Sequence, residues 1–237
     1  MSEMIAVRQA ISMPSKETVM RYIAEALGHI TTLEPSLHLL PWSGDNNPDS
    51  QVLFAQCYDA GLRAANQTTL LAKSAIPQAL IQAEAAWVQG IGLLCLAAGN
   101  MSGQEQPLTH NRLCDGVKKF AVDFPHWDDE PLSGFATVRS VALPVFRRLH
   151  RDGHTPHVIL LQTLLHLVAW RSSSQYARQQ AQRLLWLGGV LGEEGELNLM
   201  VLDKELREYP VEEERLPALL IFTDFLAHFP AGPVFVD

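Results

Sequence analysis

This sequence predicts an all-α fold of about eight to ten helices. Three observations carry the prediction. Apolar residues recur at i, i+3, i+4 and i+7 through segment after segment; Ser, Thr or Pro opens most of those segments; and no stretch alternates with period two for long enough to make a strand. The expected organisation is a weakly structured N-terminus over 1–14, a single compact helical domain over 15–229 with a buried central helix, and an extended tail over 230–237.

In chain order, Ser15 offers an N-cap to a helix bearing Val19, Ile23, Ala26, Leu27 and Ile30. Leu33 to Ser50 reads as loop, because Pro35, Pro41 and Pro48 punctuate it. Helices are expected from Asp49 to Asn66, with Asp49 or Ser50 as cap, and again from Thr68. Ala79 to Ala98 is apolar on most faces and predicts the buried central helix, closed by Gly99-Asn100. Gly90 and Gly92 cost about 1 kcal/mol each inside a helix, which close approach of a neighbouring helix would offset. Thr109 caps a helix through Phe120, and Phe124 to Pro131 is irregular.

The stretch Ser133 to His150 organises the rest. Ser133-Gly134 is a turn, and Val138, Val141, Ala142, Val145 and Leu149 form one apolar face. Pro144 sits inside that pattern, removes a backbone donor, and should bend or restart the helix. Further helices are expected from Thr155-Pro156, over Gln175–Leu187 and Glu193–Arg207, and from Leu216 to Phe229, all packed on this one.

Hydrophobic residues make up 47% and charged residues 19%, a balance suited to a filled core. The net charge of −8 disfavours nucleic acid and anionic membrane as partners. Cys57, Cys95 and Cys114 are scattered and lack ligand spacing, which predicts reduced thiols in a cytoplasmic protein. Met1 to Ala10 has no signal-like apolar core, and the run Val88–Ala98 is too short to span a bilayer.

Candidate chemistry is sparse, and no metal site is expected. His150, His154 and His157 lie close in sequence, but a turn separates the first, so capping or surface roles suit them better than ligation. Asp128-Asp129-Glu130 could offer hard oxygen ligands to Mg²⁺, yet reads more simply as an acidic helix entry. Ser133-Gly134-Phe135 follows no strand and is not a nucleophile elbow. Trp42, Trp87, Trp127, Trp170 and Trp186 are expected to act as packing anchors or pocket walls.

Glu130, then Gly134-Phe-Ala-Thr-Val138, then Ala142-Leu-Pro144 resembles a pattern of the triphosphoribosyl-dephospho-CoA synthase family: a Glu, a Gly-Phe-Pro-Thr-Val stretch and a helix containing Leu-Pro. Leu164–Ala169, Gly188-Gly189, Leu202-Asp203 and the helix Gly92–Gly99 extend the similarity to about two thirds of the chain, mostly at packing positions. The resemblance implies a fold, and an activity that joins ATP to dephospho-CoA with release of adenine for citrate lyase or malonate decarboxylase. The family's polar motifs fall on other residues here. Its Asn-Thr-His-Lys-Gly falls on Gln82–Ala86, its Thr-Pro-Lys-Pro-Gly on Thr32–Ser36 with Glu34 in place of Lys, and its Gly-Ser-His-Arg-Asp near Gly44–Pro48. Its Asp-Thr-Asn and Arg-Gly-Gly loop shortens to Arg171–Ser174, and its Ser-Pro-Gly-Gly-Ser-Ala-Asp falls on Glu212–Ala218.

Of the family's polar set Glu130 remains, so the candidate ligand-binding residues are Glu130, Ser133, Gly134 and Arg139. The reading is a catalytically degenerate relative with a binding, regulatory or scaffold role and no cofactor. The alternatives are an active synthase using ATP and Mg²⁺, marked by a cationic cleft floor built from Arg63, Lys73 or Arg139, and a helical adaptor using the loops 33–50 and 124–132. A small molecule, another protein or a second copy of the chain all stand open as partners.

Overall fold

The computed structural model describes residues 15–37, 48–105, 109–122, 127, 129–208 and 215–229. These residues are mostly helical, with turns between helices and no strand among them. Helices α1 (Lys16–Thr31), α2 (Pro48–Arg63), α3 (Thr69–Ser74), α4 (Gln78–Ile81), α5 (Ala86–Gly103) and α6 (His110–Phe120) form the first half. Helix α7 (Glu130–Ser133), a π segment over Val138–Ala142, α8 (Leu143–Arg151), α9 (Pro156–Arg171), α10 (Gln175–Trp186), a 3₁₀ turn over Gly189–Leu191, α11 (Gly195–Glu208) and α12 (Arg215–His228) complete it. The excess over the expected number comes from α4 and α7, which are too short to show a periodicity, while α3 is the helix expected from Thr68.

Local chemistry explains four of the helix starts. The side chains of Ser15, Thr109, Thr155 and Ser174 each accept a hydrogen bond from a first-turn backbone N–H, satisfying a donor that would otherwise lack a partner. Helix α2 begins at Pro48, so Asp49 lies in its first turn instead of capping it. The expected break at Pro144 takes a particular form. A π segment precedes the proline and runs without a break into α8, so Pro144 follows a widened turn of a continuing helix instead of ending it.

The expected central helix divides: α4 ends at Ile81 and α5 begins at Ala86. Helix α5 then runs past Gly99-Asn100 to Gly103, and every residue from Val88 to Met101 is buried. Two more helices share the interior, because α9 and α12 also bury most of their lengths. Helix α12 packs against α1, α5, α8 and α9, and the π segment and α8 both lie on α9 and α12.

Close helix approach occurs at Gly92, against α4, and is tighter between α2 and α5. Gly90 faces the Trp127 ring and Gly92 faces Leu80. The tight seam lies between α2 and α5, where a Cβ on Gly61 would collide with the Leu96 carbonyl and one on Gly99 with the Tyr58 carbonyl. Trp127 is buried and its indole N–H donates to the Ala86 carbonyl at 3.0 Å. Trp170 and Trp186 are 66% and 92% exposed, so they are not packing anchors, and Trp42 lies outside the described residues.

A polar contact ties the N-terminal helix to the C-terminal one. Asp224 on α12 is buried, with His29 Nδ1 of α1 at 2.9 Å from its Oδ2. His228 Nδ1 lies 2.9 Å from the Asp224 carbonyl and 3.2 Å from its Oδ1. All three cysteines are buried and unpaired, and burial pushes the Cys57 and Cys114 thiols up to about 12.

Candidate functional site

Glu130 opens α7 and is 4% exposed. A carboxylate that deep needs its lone pairs satisfied, and the chain supplies partners from two places. The Thr137 backbone N–H donates to Oε2 at 3.2 Å and the Thr137 hydroxyl donates to Oε1. Arg171, the last residue of α9, places Nη2 3.0 Å from Oε1.

Ser133 and Gly134 shape the turn around that carboxylate. The Ser133 hydroxyl donates to the Glu130 carbonyl at 2.9 Å and accepts from the Ala136 N–H at 3.2 Å. Gly134 adopts φ 69°, and a Cβ there would stand 2.7 Å from the Cys114 carbonyl oxygen, so both backbone and space require glycine. Phe135 also has positive φ, 54°, and is held by full burial against Trp127 and Phe222.

Arg139 turns to α6. Its Nη1 lies 3.5 Å from Asp115 Oδ1, which also receives Lys118 Nζ at 2.7 Å. Of the four expected residues, Glu130, Ser133 and Gly134 therefore form one unit, while Arg139 belongs to an ion-pair group on α6. The cation that meets Glu130 is Arg171, which the sequence marks only as the start of the shortened loop 171–174, and Thr137 stands only within the Gly134–Val138 match. Arg171 sits at a helix C-terminus, where a basic residue is expected for other reasons. Its partner lies 41 positions away in sequence, so no spacing links the two.

A cleft of about 290 Å³ lies elsewhere, lined by Glu34, Pro35, His157, Leu161, Glu196, Met200, Asp203 and Arg207. None of the four expected residues lines it. Two positions within the quoted family motifs do: Glu34, where the family has Lys, and Asp203 of the Leu202-Asp203 match. Asp203 is buried and accepts from Arg207 Nε at 2.9 Å, with Nη2 at 2.8 Å. The remaining lining is apolar apart from Glu34, Glu196 and His157. The basic side chains of the cleft are His157 and Arg207, not Arg63, Lys73 or Arg139.

Among the described residues, no group of three or more His, Cys, Asp or Glu side chains is placed to hold a metal ion. Asp128, Glu212, Glu213 and Glu214, with 38–47 of the first loop and 124–126 of the second, lie outside the described residues. No helix among the described residues is long and apolar enough to cross a membrane.

No family model and no solved structure matches this chain. Curated proteins do. The chain is similar to the probable 2-(5''-triphosphoribosyl)-3'-dephosphocoenzyme-A synthase 1 of Salmonella typhi, with 36% identity over 182 residues, covering 62% of this chain and 60% of that protein. It is 34% identical over 187 residues to the 2-(5''-triphosphoribosyl)-3'-dephosphocoenzyme-A synthase of Escherichia fergusonii, covering 63% and 62%. The protein of that name from Klebsiella pneumoniae is 34% identical over 180 residues, covering 61% and 60%. The chain spans about 60% of the length of these relatives.

Proposed function

With this chain a relative of the triphosphoribosyl-dephospho-CoA synthases, we propose that it keeps their helical frame and serves as a binding, regulatory or scaffold protein instead of a synthase. The charge of the cleft carries this reading. Binding a triphosphate requires cations, and usually backbone amides or a metal, around its oxygens. Glu34, Glu196 and Asp203 line the cleft instead, against His157 and an Arg207 already engaged by Asp203. Glu34 and Glu196 are exposed and oppose a phosphate as solvated carboxylates, while Asp203 holds the one Arg of the cleft away from it. A cleft of this kind favours a neutral or positively charged group, with Pro35, Leu161 and Met200 offering apolar contact. Glu130 supports the reading too, because Thr137 and Arg171 already occupy its carboxylate.

The second reading is an active synthase that takes ATP and dephospho-CoA and releases adenine. The names of the relatives at 34–36% identity favour it, since they are named for that activity.

One experiment separates the two. The purified protein is incubated with ATP, Mg²⁺ and dephospho-CoA, and free adenine and the coupled product are read by mass spectrometry. The binding reading expects no adenine above a protein-free blank and no change in melting temperature with either substrate. Adenine exceeding the protein on a molar basis would establish the synthase reading.

A further inference from the structure

We propose that the outer face of the hairpin formed by α10, the 3₁₀ turn and α11 is a self-complementary interface, and that its occupant is a second copy of this chain. Trp186 is 92% exposed, Leu187 59%, Leu197 55% and Val201 51%. Leu191 in the 3₁₀ turn is exposed beside them. Scattered exposed apolar residues need no explanation, but this group falls on three consecutive elements in mutual contact.

The hairpin is antiparallel. Near its open end the Tyr176 hydroxyl donates to Glu205 Oε2 at 2.8 Å. Trp186, at the other end of α10, therefore lies at the level of the start of α11. On α11, Leu197, Val201, Lys204 and Glu208 follow helical spacing and are all exposed, so one stripe runs from apolar to charged. Trp127 is buried with its N–H satisfied, whereas the Trp186 indole stands in water. Truncating a tryptophan of this kind is commonly the costliest change in an interface.

Charge indicates what covers the face. Helix α10 carries Arg178 and Arg183 and no carboxylate. Residues 193–208 carry Glu193, Glu194, Glu196, Glu205 and Glu208 against Lys204, with Asp203 buried in its pair with Arg207. A two-fold axis in the interface, parallel to the two helices and midway between them, sets the basic helix of each copy on the acidic helix of the other, and does so twice. A second copy has both halves by construction. An anionic membrane meets the acidic helix and is repelled, and a net charge of −8 opposes self-association that lacks such matching.

Sedimentation velocity on the full chain, from about 1 to 100 µM, covers the range where modest homodimers dissociate. The wild type is expected to dimerise, and Trp186→Ser to weaken the dimer at least about tenfold with an unchanged circular dichroism spectrum. Arg183→Glu leaves α10 with one charge of each sign and so without net attraction to the acidic segment, whereas Glu193→Lys/Glu208→Lys removes the net negative charge of residues 193–208. Each variant alone is expected to lose the dimer, and an equimolar mixture of the two to recover it as a heterodimer. A wild type that stays monomeric over the whole range overturns the proposal. So does a dimer indifferent to Trp186→Ser, which would use another surface, or a mixture that fails to reassociate.

Discussion

Burying Glu130 removes a carboxylate from water, and the native state offsets that with two donors from Thr137 and the Arg171 guanidinium. Breaking a fully buried pair costs several kcal/mol, but Arg171 is 38% exposed and keeps part of its hydration. Glu130→Gln is therefore expected to destabilise the fold by about 2 kcal/mol, read as a lower urea midpoint with unchanged slope. An unchanged midpoint would mean that the pair has no structural weight. A second residue gives a pH signature. The Asp224 side chain beside His228, more than any other neighbour, holds its imidazole above the usual value, with Glu25 adding to the effect. A raised folded-state value means that His228 contributes stability fully below about pH 6.5 and loses it as pH rises through the folded value. The stability gap between wild type and His228→Gln should thus be wider at about pH 5.5 than at about pH 8.5. His110 runs the other way: burial first, then Arg147, brings it down to about 4, so its contribution is lost as pH falls through that value. A gap for His228→Gln that grows with pH would contradict the assignment.

Helix pairs show why a glycine's neighbours matter more than its propensity. Alanine is the better helix former by about 1 kcal/mol at either Gly28 or Gly61. Gly28 is exposed on α1 with no atom within 4 Å of an added Cβ, so Gly28→Ala should raise stability by about 0.5–1 kcal/mol. At Gly61 the added carbon meets the Leu96 carbonyl of α5, and neither backbone can give way cheaply. Gly61→Ala should cost about 2–3 kcal/mol despite the better propensity. Thermal melts of the two variants should move in opposite directions, and a shift in the same direction would place the α2–α5 seam elsewhere. The caps at Ser15, Thr109 and Thr155 were legible because a cap is a local affair of three residues. The π segment was not. Its five residues keep the helical pattern of apolar side chains, so the periodicity marked a break near Pro144 without its form.

Across the whole molecule, the all-α class followed from periodicity, and three buried helices followed less directly. Helix α5 was legible because apolar residues cover all its faces, and α9 and α12 carry the same signal in weaker form. The site was the least legible part. Arg171 meets Glu130, and Glu34 comes to the same cleft as Asp203, only through tertiary packing. Resemblance marked Glu130 as the residue to watch, and the structure gives it a structural set of partners. The cleft instead gathers residues from the Glu34-Pro35 turn, α9 and α11, three parts of the chain that no motif joins. Composition named the five tryptophans but says nothing of direction, and so could not separate buried Trp127 from exposed Trp186.

The π segment over Val138–Ala142 also acts as a phase setter for everything after it. A π turn is an α-helix with one residue inserted, and one residue corresponds to about 100° of rotation. Thr137, ahead of it, must face Glu130, while Phe146 and Leu149, beyond it, must face the interior. The extra residue lets one nearly continuous helix do both. Deleting a single residue there would leave good helix and a wrong clock: Thr137 could keep its carboxylate only if Phe146 and Leu149 swung about 100° out of the core.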